Sequence, residues 1–382
     1  MVDTVAPTVT IDFPAPGSAY NADGWDAGCT EPGFCGTADD VGSGLVGGGV
    51  AVQQAGTGLY WDGTAFASPF RVLLDITGGS PGYNIWGFAI EQFPTDGQYT
   101  MQAVAIDGAG NSTTASVTFT IDRDGPVTPE GFPAVDGTYG TELWNAGCSE
   151  PGVCAGGEAP TDVVGGGLAM LQVDTGLYWD GSAFTSTTEI LLPLPTTDVW
   201  PFPITNFPAD GDYSVKAVLT DSAGNDTVTV VPFTIDRTPP VITPTFPLAG
   251  GVYDAAEWDA GCDPIGMCGV ATDESGTVAS AFMTLQEVGT GLYWDGTAFA
   301  GTSDGPMPFE PGGFVPFPAT NFTNDGIYRA RVVVRDLAGN VATFAGTFAF
   351  DESAPVVELI HPLDGGAYDT ATWNAGCPTP GI

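Results

Sequence analysis

Apolar and polar residues alternate along short stretches of this chain, and glycine, proline or aspartate interrupts each stretch. QYTMQAVAID, residues 98–107, is the cleanest case. Met101, Ala103 and Ala105 fall on one face, as a half-buried strand requires. The same reading predicts strands over 7–14, 34–40, 46–54, 70–77, 83–91 and 111–122. Residues 58–66, GLYWDGTAF, predict a hairpin turned on Asp62 and Gly63. A loop rich in glycine and proline carries Cys29 and Cys35. No stretch sustains a helical period, and none is apolar for long enough to span a membrane.

The pattern repeats. TGLYWDGTAF begins at Thr57, returns as TGLYWDGSAF at Thr175 and again as TGLYWDGTAF at Thr290. The motif around Trp25, WDAGC, returns at Trp144, Trp258 and Trp373. DGAGN at Asp107 returns at Asp221 and Asp336, and DGQY, ending at Tyr99, returns at Tyr213 and Tyr328. A period of about 115 residues is too long for a solenoid and suits one small domain per repeat. The expected domains are 1–122, 123–236 and 237–351, with the start of a fourth over 352–382. Roughly seven or eight short strands per repeat predict an all-β chain of tandem immunoglobulin-like β-sandwich domains in a linear array. Tyr99, Tyr213 and Tyr328 stand where such sandwiches carry a tyrosine corner; a plain core tyrosine there gives the same fold.

The domain openings DTVAPTVTI, RTPPVITPTFP and ESAPVVELIHP, with the closing AVAIDGAGN and TFTID, resemble bacterial immunoglobulin-like repeat domains of large surface and adhesin-type proteins. The resemblance covers the whole chain. It implies an extracellular, cell-surface rod, often made rigid by calcium. The chain opens on domain sequence without a signal peptide, and the fourth AGC motif stops at CPTPGI. The expectation is therefore an excerpt of a longer array, with signal, anchor and tip outside it.

Composition narrows the function. Acidic residues number 46 against 7 basic ones, for a formal charge of −39. Nucleic acid and anionic membranes need cationic contacts, so both are poor partners for such a chain. A solvated acidic surface, a salt-rich habitat and divalent cations all suit it. The seven cysteines fall as Cys29/Cys35, Cys148/Cys154, Cys262/Cys268 and a lone Cys377. One pair in each loop, with no strays, predicts a local disulfide per repeat in an oxidising compartment. Zinc needs four ligands, and each repeat offers two cysteines and no histidine. The partner of Cys377 is expected beyond Ile382.

The acidic residues also cluster. Strands alternating up and down place the opening segment, the second-to-third loop and the loop before the last strand at one end of each domain. Asp122 would then meet Asp162, Asp221 and Asn225, and Asp236 would meet Asp273, Asp336 and Asn340. Asp3 would serve the first repeat with Asp39, Asp107 and Asn111. Calcium takes six to eight oxygens of these kinds. The DxAGN motif is equally a good turn, since aspartate accepts backbone hydrogen bonds and Gly-Asn tolerates positive φ. Both readings stand at this stage. Asn111, Asn225 and Asn321 match the glycosylation tripeptide, and the first two are read as turn residues.

Catalysis is not expected. The single histidine, His361, lies in the broken fourth repeat, so no Ser-His-Asp or Cys-His set forms within a repeat. The glycine runs lack the lysine and helix of a phosphate loop. Carboxylates alone leave a glycosidase possible in composition, yet three near-copies in series spread any role along the chain. The reading is a structural spacer. Its rivals are a glycan- or surface-binding module using Tyr60, Trp61, Tyr178, Trp179, Tyr293 and Trp294, and a fibre subunit assembling with copies of itself. Neighbours in a strand point to opposite faces, so one of Tyr60 and Trp61 is expected in the core and the other outside.

Overall fold

Where the first repeat alternates, it pairs. Its elements are β1 (Thr8–Val9), β2 (Ala19–Tyr20), α1 (Ala22–Asp26), β3 (Gly33–Asp39), β4 (Leu45–Gln54), β5 (Tyr60–Trp61), β6 (Phe66–Ser68), β7 (Leu74–Asp75), β8 (Gly82–Gly87), β9 (Gly97–Asp107) and β10 (Ser112–Ile121). The computed structural model describes residues 2–75, 82–128, 130–155, 163–194, 199–275, 277–309 and 313–377. The chain falls into two compact units, residues 1–236 and 237–382.

A smaller sheet runs β1-β3-β8 and a larger one β2-β10-β9-β4-β5-β6, with β7 also paired to β4. β9 lies between β4 and β10, so its inward residues Tyr99, Met101 and Ala103 are sealed. They meet Phe34 and Cys35 of β3 in one core. Two sheets with their inner faces interdigitated make a β-sandwich. The same order of paired sheets recurs after Gly131 and, in the second unit, after Val241.

Four elements depart from the sequence reading. The strand expected over 83–91 ends at Gly87, and Ile90–Gln92 forms a short 3-10 turn. The strand over 7–14 is regular only at Thr8–Val9, although Thr10 and Asp12 still donate to the carbonyls of Thr37 and Cys35 at 2.8 Å. Of 70–77, only Leu74–Asp75 pairs; Phe70 is 78% exposed, and residues 76 and 77 lie outside the described residues. The supposed loop before Cys29 holds α1, whose first turn is capped by Asn21 accepting from the Gly24 N–H at 2.8 Å. A helix of five residues shows no period, and its purpose is one side chain. Trp25 is fully buried and donates its indole N–H to the Phe88 carbonyl at 2.8 Å. Trp144 and Trp258 do the same to Phe202 and Phe317.

The tyrosines form true corners. Tyr99 donates to the Thr95 carbonyl at 2.6 Å, Tyr213 to Ala209 at 2.8 Å and Tyr328 to Asn324 at 2.7 Å. Cys29 is bonded to Cys35, Cys148 to Cys154 and Cys262 to Cys268. Each bridge ties the end of the short helix to the strand that packs over its tryptophan. Cys377 is unpaired among the described residues. His361 takes the place of Phe13 in the fourth segment and is buried against Tyr368 and Trp373.

Candidate metal centre

The DxAGN loop is first of all a turn. Asp107, 1% exposed, accepts from the N–H groups of Ala109 (2.9 Å) and Asn111 (2.8 Å) on one oxygen and from the Asn111 side-chain amide (2.8 Å) on the other. Gly110 sits at φ +89°, where a side chain would be strained. Asp221 repeats all three contacts with Ala223 and Asn225, and Asp336 repeats the two from Asn340, within 0.1 Å of the same lengths. Burial pushes the Asp107 and Asp221 carboxyls up, but the hydrogen bonds from Asn111 and Asn225 outweigh it, and both end below the ordinary carboxylate value.

The asparagines clasp the opening segment. Asn111 donates to the carbonyls of Asp3 (3.3 Å) and Val5 (3.4 Å), and Asn225 to those of Asp122 (3.0 Å) and Asp124 (3.2 Å). Asn340 donates to the Thr238 carbonyl at 3.4 Å. So arranged, these amides present nitrogen where the sequence reading expected ligand oxygen. Through those nitrogens they hold the opening strand.

That clasp brings Asp3 to the loops. Asp3, Asp40 and Asp107 each place a carboxylate oxygen within 4.8 Å of the others'. Asp3 is held by N–H groups of Val5 (3.0 Å) and Ser43 (2.6 Å), and Asp40 by those of Gly42 (3.1 Å) and Gly44 (2.6 Å). A Cβ on Gly42 would lie 2.0 Å from the Asp3 carboxylate and would push it aside. The second oxygen of Asp40, Oδ1, is buried with no hydrogen-bond partner. A buried, unsatisfied carboxylate oxygen facing two further carboxylates is costly alone and suited to a hard cation.

Asp39 is not in this cluster. It is exposed at the end of β3, opposite Thr8, and the pleat turns it away. The sequence held the signal for Asp40. After the second cysteine of the third repeat comes GVATD, and aligning it with GTADD sets Asp273 against Asp40 and Thr272 against Asp39. Asp273 accepts from Ser275 on one oxygen, and its other oxygen is buried without a partner. Asp236 is buried at the end of the preceding unit. Asp162 lies outside the described residues.

Asp122, half-buried, is pushed above the ordinary carboxylate value by desolvation and by the charge of Asp221, with smaller repulsion from Asp96 and Asp124; the N–H of Asp124 opposes the shift. A carboxyl raised in the folded state binds more protons folded than unfolded, so it withdraws stability as pH rises from about 3.8 through its folded value. In chelator, Asp122→Asn is therefore expected to raise the melting temperature at pH 7 by an amount that shrinks toward zero near pH 4. Melts of both proteins across that range check it; a difference independent of pH would refute it.

The aromatic pairs behave differently from a platform. Trp61, Trp179 and Trp294 are 7%, 8% and 7% exposed, and Trp61 packs on Phe66 and Phe88 with ring centres 5.3 Å apart. Tyr60, Tyr178 and Tyr293 are half-buried on the outer side. Asp62 closes the turn below them, accepting from the Thr64 and Ala65 N–H groups.

Paired sandwich sheets, a tyrosine corner in each repeat and acidic loops around the opening strand define a tandem immunoglobulin-like protein. The family model described as bacterial Ig-like domain matches residues 88–123, 186–237 and 245–352, just over half the sequence, and the chain belongs to that family. No curated protein matches it. Among solved structures, it is similar to a tetra-tandem repeat from the extending region of a large adhesion protein (18% identity, 91% of this chain and 74% of that one, TM-score 0.28). It is similar to a Ca2+-stabilised adhesin with which an Antarctic bacterium binds ice (15%, 93% and 76%, TM-score 0.32). A structure concerned with the host cell surface retention of a 1.5-MDa bacterial ice-binding adhesin also matches (17%, 91% and 99%, TM-score 0.34).

Proposed function

We propose that this chain is a spacer segment of a bacterial surface or secreted protein, with calcium held where each repeat begins. The observation that carries the reading is the Asp3-Asp40-Asp107 cluster, with its orphaned Asp40 oxygen. Asp3 belongs to the opening segment, and the other two belong to loops of the sandwich it enters. A cation there joins segment to domain and removes the repulsion among three carboxylates. Asp3, Asp40 and Asp107 would hold it in the first repeat. Asp122 and Asp221 are the corresponding pair in the second, and Asp273 and Asp336 serve the third.

The role is mechanical rather than catalytic. The disulfide in each repeat pins the tryptophan-bearing helix and fits an oxidising, extracellular setting. No described helix is long and apolar enough to cross a membrane. Buried tryptophans in all three YWDG hairpins disfavour a stacking platform built on them.

Single-molecule pulling of the intact chain tests the role. In calcium, the repeats are expected to unfold one after another at similar forces, and excess chelator should lower those forces. Equal forces in both conditions would remove calcium from the mechanical account.

A further inference from the structure

The outer face of the larger sheet in the third repeat concentrates positive charge on this acidic chain. Of its 7 basic residues, three lie on one strand, Gly326–Asp336, at positions 329, 331 and 335. Side chains two apart share a face, and Arg329, Arg331 and Arg335 are all exposed, while Ala330, Val332 and Val334 between them are buried. The stripe spans seven residues, 329–335, on the order of 20 Å.

The fold does not require it. In the same register the first repeat carries Thr100, Gln102 and Ile106, and the second Ser214, Lys216 and Thr220. Lys216 is occupied by Glu189 at 2.7 Å. In the third repeat Arg331 pairs loosely with Asp304 at 3.3 Å, and Arg335 donates to the Gly339 carbonyl at 3.0 Å. The Arg329 side chain makes no ion pair or hydrogen bond among the described residues.

Aromatic rings flank the stripe. Arg329 stands opposite Gln286, and Gln286 opposite Tyr293, so one row across the sheet reads arginine, amide, tyrosine. Asp304, the residue that meets Arg331, also acts on the Tyr293 phenol and pushes it above its ordinary value. Between Arg331 and Arg335, Val333 lies opposite Phe282, which is 40% exposed. Cationic rows therefore alternate with an apolar one on a flat face.

We propose that this face docks an acidic polysaccharide, with uronate carboxylates on Arg329 and Arg331 and sugar rings against Tyr293 and Phe282. Guanidinium groups bind carboxylates in paired hydrogen bonds, and aromatic faces accept the apolar sides of sugars. A second copy of the chain fits less well, because it would bring a charge of −39 against another −39, whereas a glycan brings its charge only along the stripe.

The test is calorimetric titration of the intact chain with a hyaluronan octasaccharide, with neutral malto-octaose as comparator, at low and at physiological salt. Hyaluronan is expected to bind, salt to weaken it, and the double variant R329Q/R331Q to bind at least tenfold more weakly. R123Q, which changes an arginine paired with Asp96 in the first repeat, should leave binding unchanged. Since the first repeat folds with neutral Thr100 and Gln102 at the two positions, the double variant should melt normally. No hyaluronan binding, equal binding of malto-octaose, or equal binding by the double variant would each overturn the proposal. So would sedimentation equilibrium showing self-association that the double variant abolishes, which would assign the face to a second copy.

Discussion

Replacing Trp144 by alanine should cost about 3–5 kcal/mol and lower the melting of the second repeat by roughly 15 °C. The indole is fully buried, and four rings surround it: Phe132, Tyr139, Phe207 and Phe233, with centres 4.9–5.9 Å away. Alanine would leave a void that these rigid neighbours can fill only in part. It would also strand the Phe202 carbonyl, which accepts the indole N–H at 2.8 Å. Trp144→Phe restores most of the volume and loses the hydrogen bond, so it should fall between, at about 1–3 kcal/mol. Trp200→Ala, at a half-buried position, should cost less than Trp144→Ala. Calorimetric scans of the three variants check the order. A Trp144→Ala protein that melts with the wild type would mean that the helix is not part of the core.

The sandwich was legible because strands write themselves as alternation. Tyr99, Met101 and Ala103 face the core and Thr100 and Gln102 do not, and that period survives in all three copies. The helix was not legible by period, because five or six residues complete too little of a turn pattern. A capping signature was present in the third repeat, where Asp254 and Glu257 cap each other's backbone N–H groups, and it went unread. The apolar run Val72, Leu73 and Leu74 looked like a longer strand than it is, since composition marks burial and not pairing. In the candidate centre, the three loop ends were legible from strand order. The choice between Asp39 and Asp40 was legible only by comparing repeats, where Asp273 stands against Asp40 and Thr272 against Asp39; within one repeat the two are neighbours that a strand's pleat turns to opposite sides. The donor role of the asparagines was not legible for a different reason: a side-chain amide offers both a donor and an acceptor, and only the position of the opening segment selects the donor.

Calcium should raise the stability of each repeat that binds it by about 2.7 kcal/mol when its concentration is a hundred times the dissociation constant, or roughly 10 °C in melting temperature. The physical reason lies in the residues. Asp3, Asp40 and Asp107 converge, and the backbone N–H groups they accept leave Asp40 Oδ1 buried and unsatisfied. A cation supplies that oxygen's partner and turns three repelling charges into ligands. Asp40→Asn separates the two effects, because it lessens the repulsion and removes a ligand at once. It is expected to leave the chain in chelator as stable as the wild type or more so, and to abolish the calcium increment of the first repeat. The most direct measurement is the melting temperature of the intact wild-type chain in excess calcium and in excess chelator. A transition several degrees higher in calcium is the predicted result; superimposable melts would contradict calcium as the element that joins these repeats.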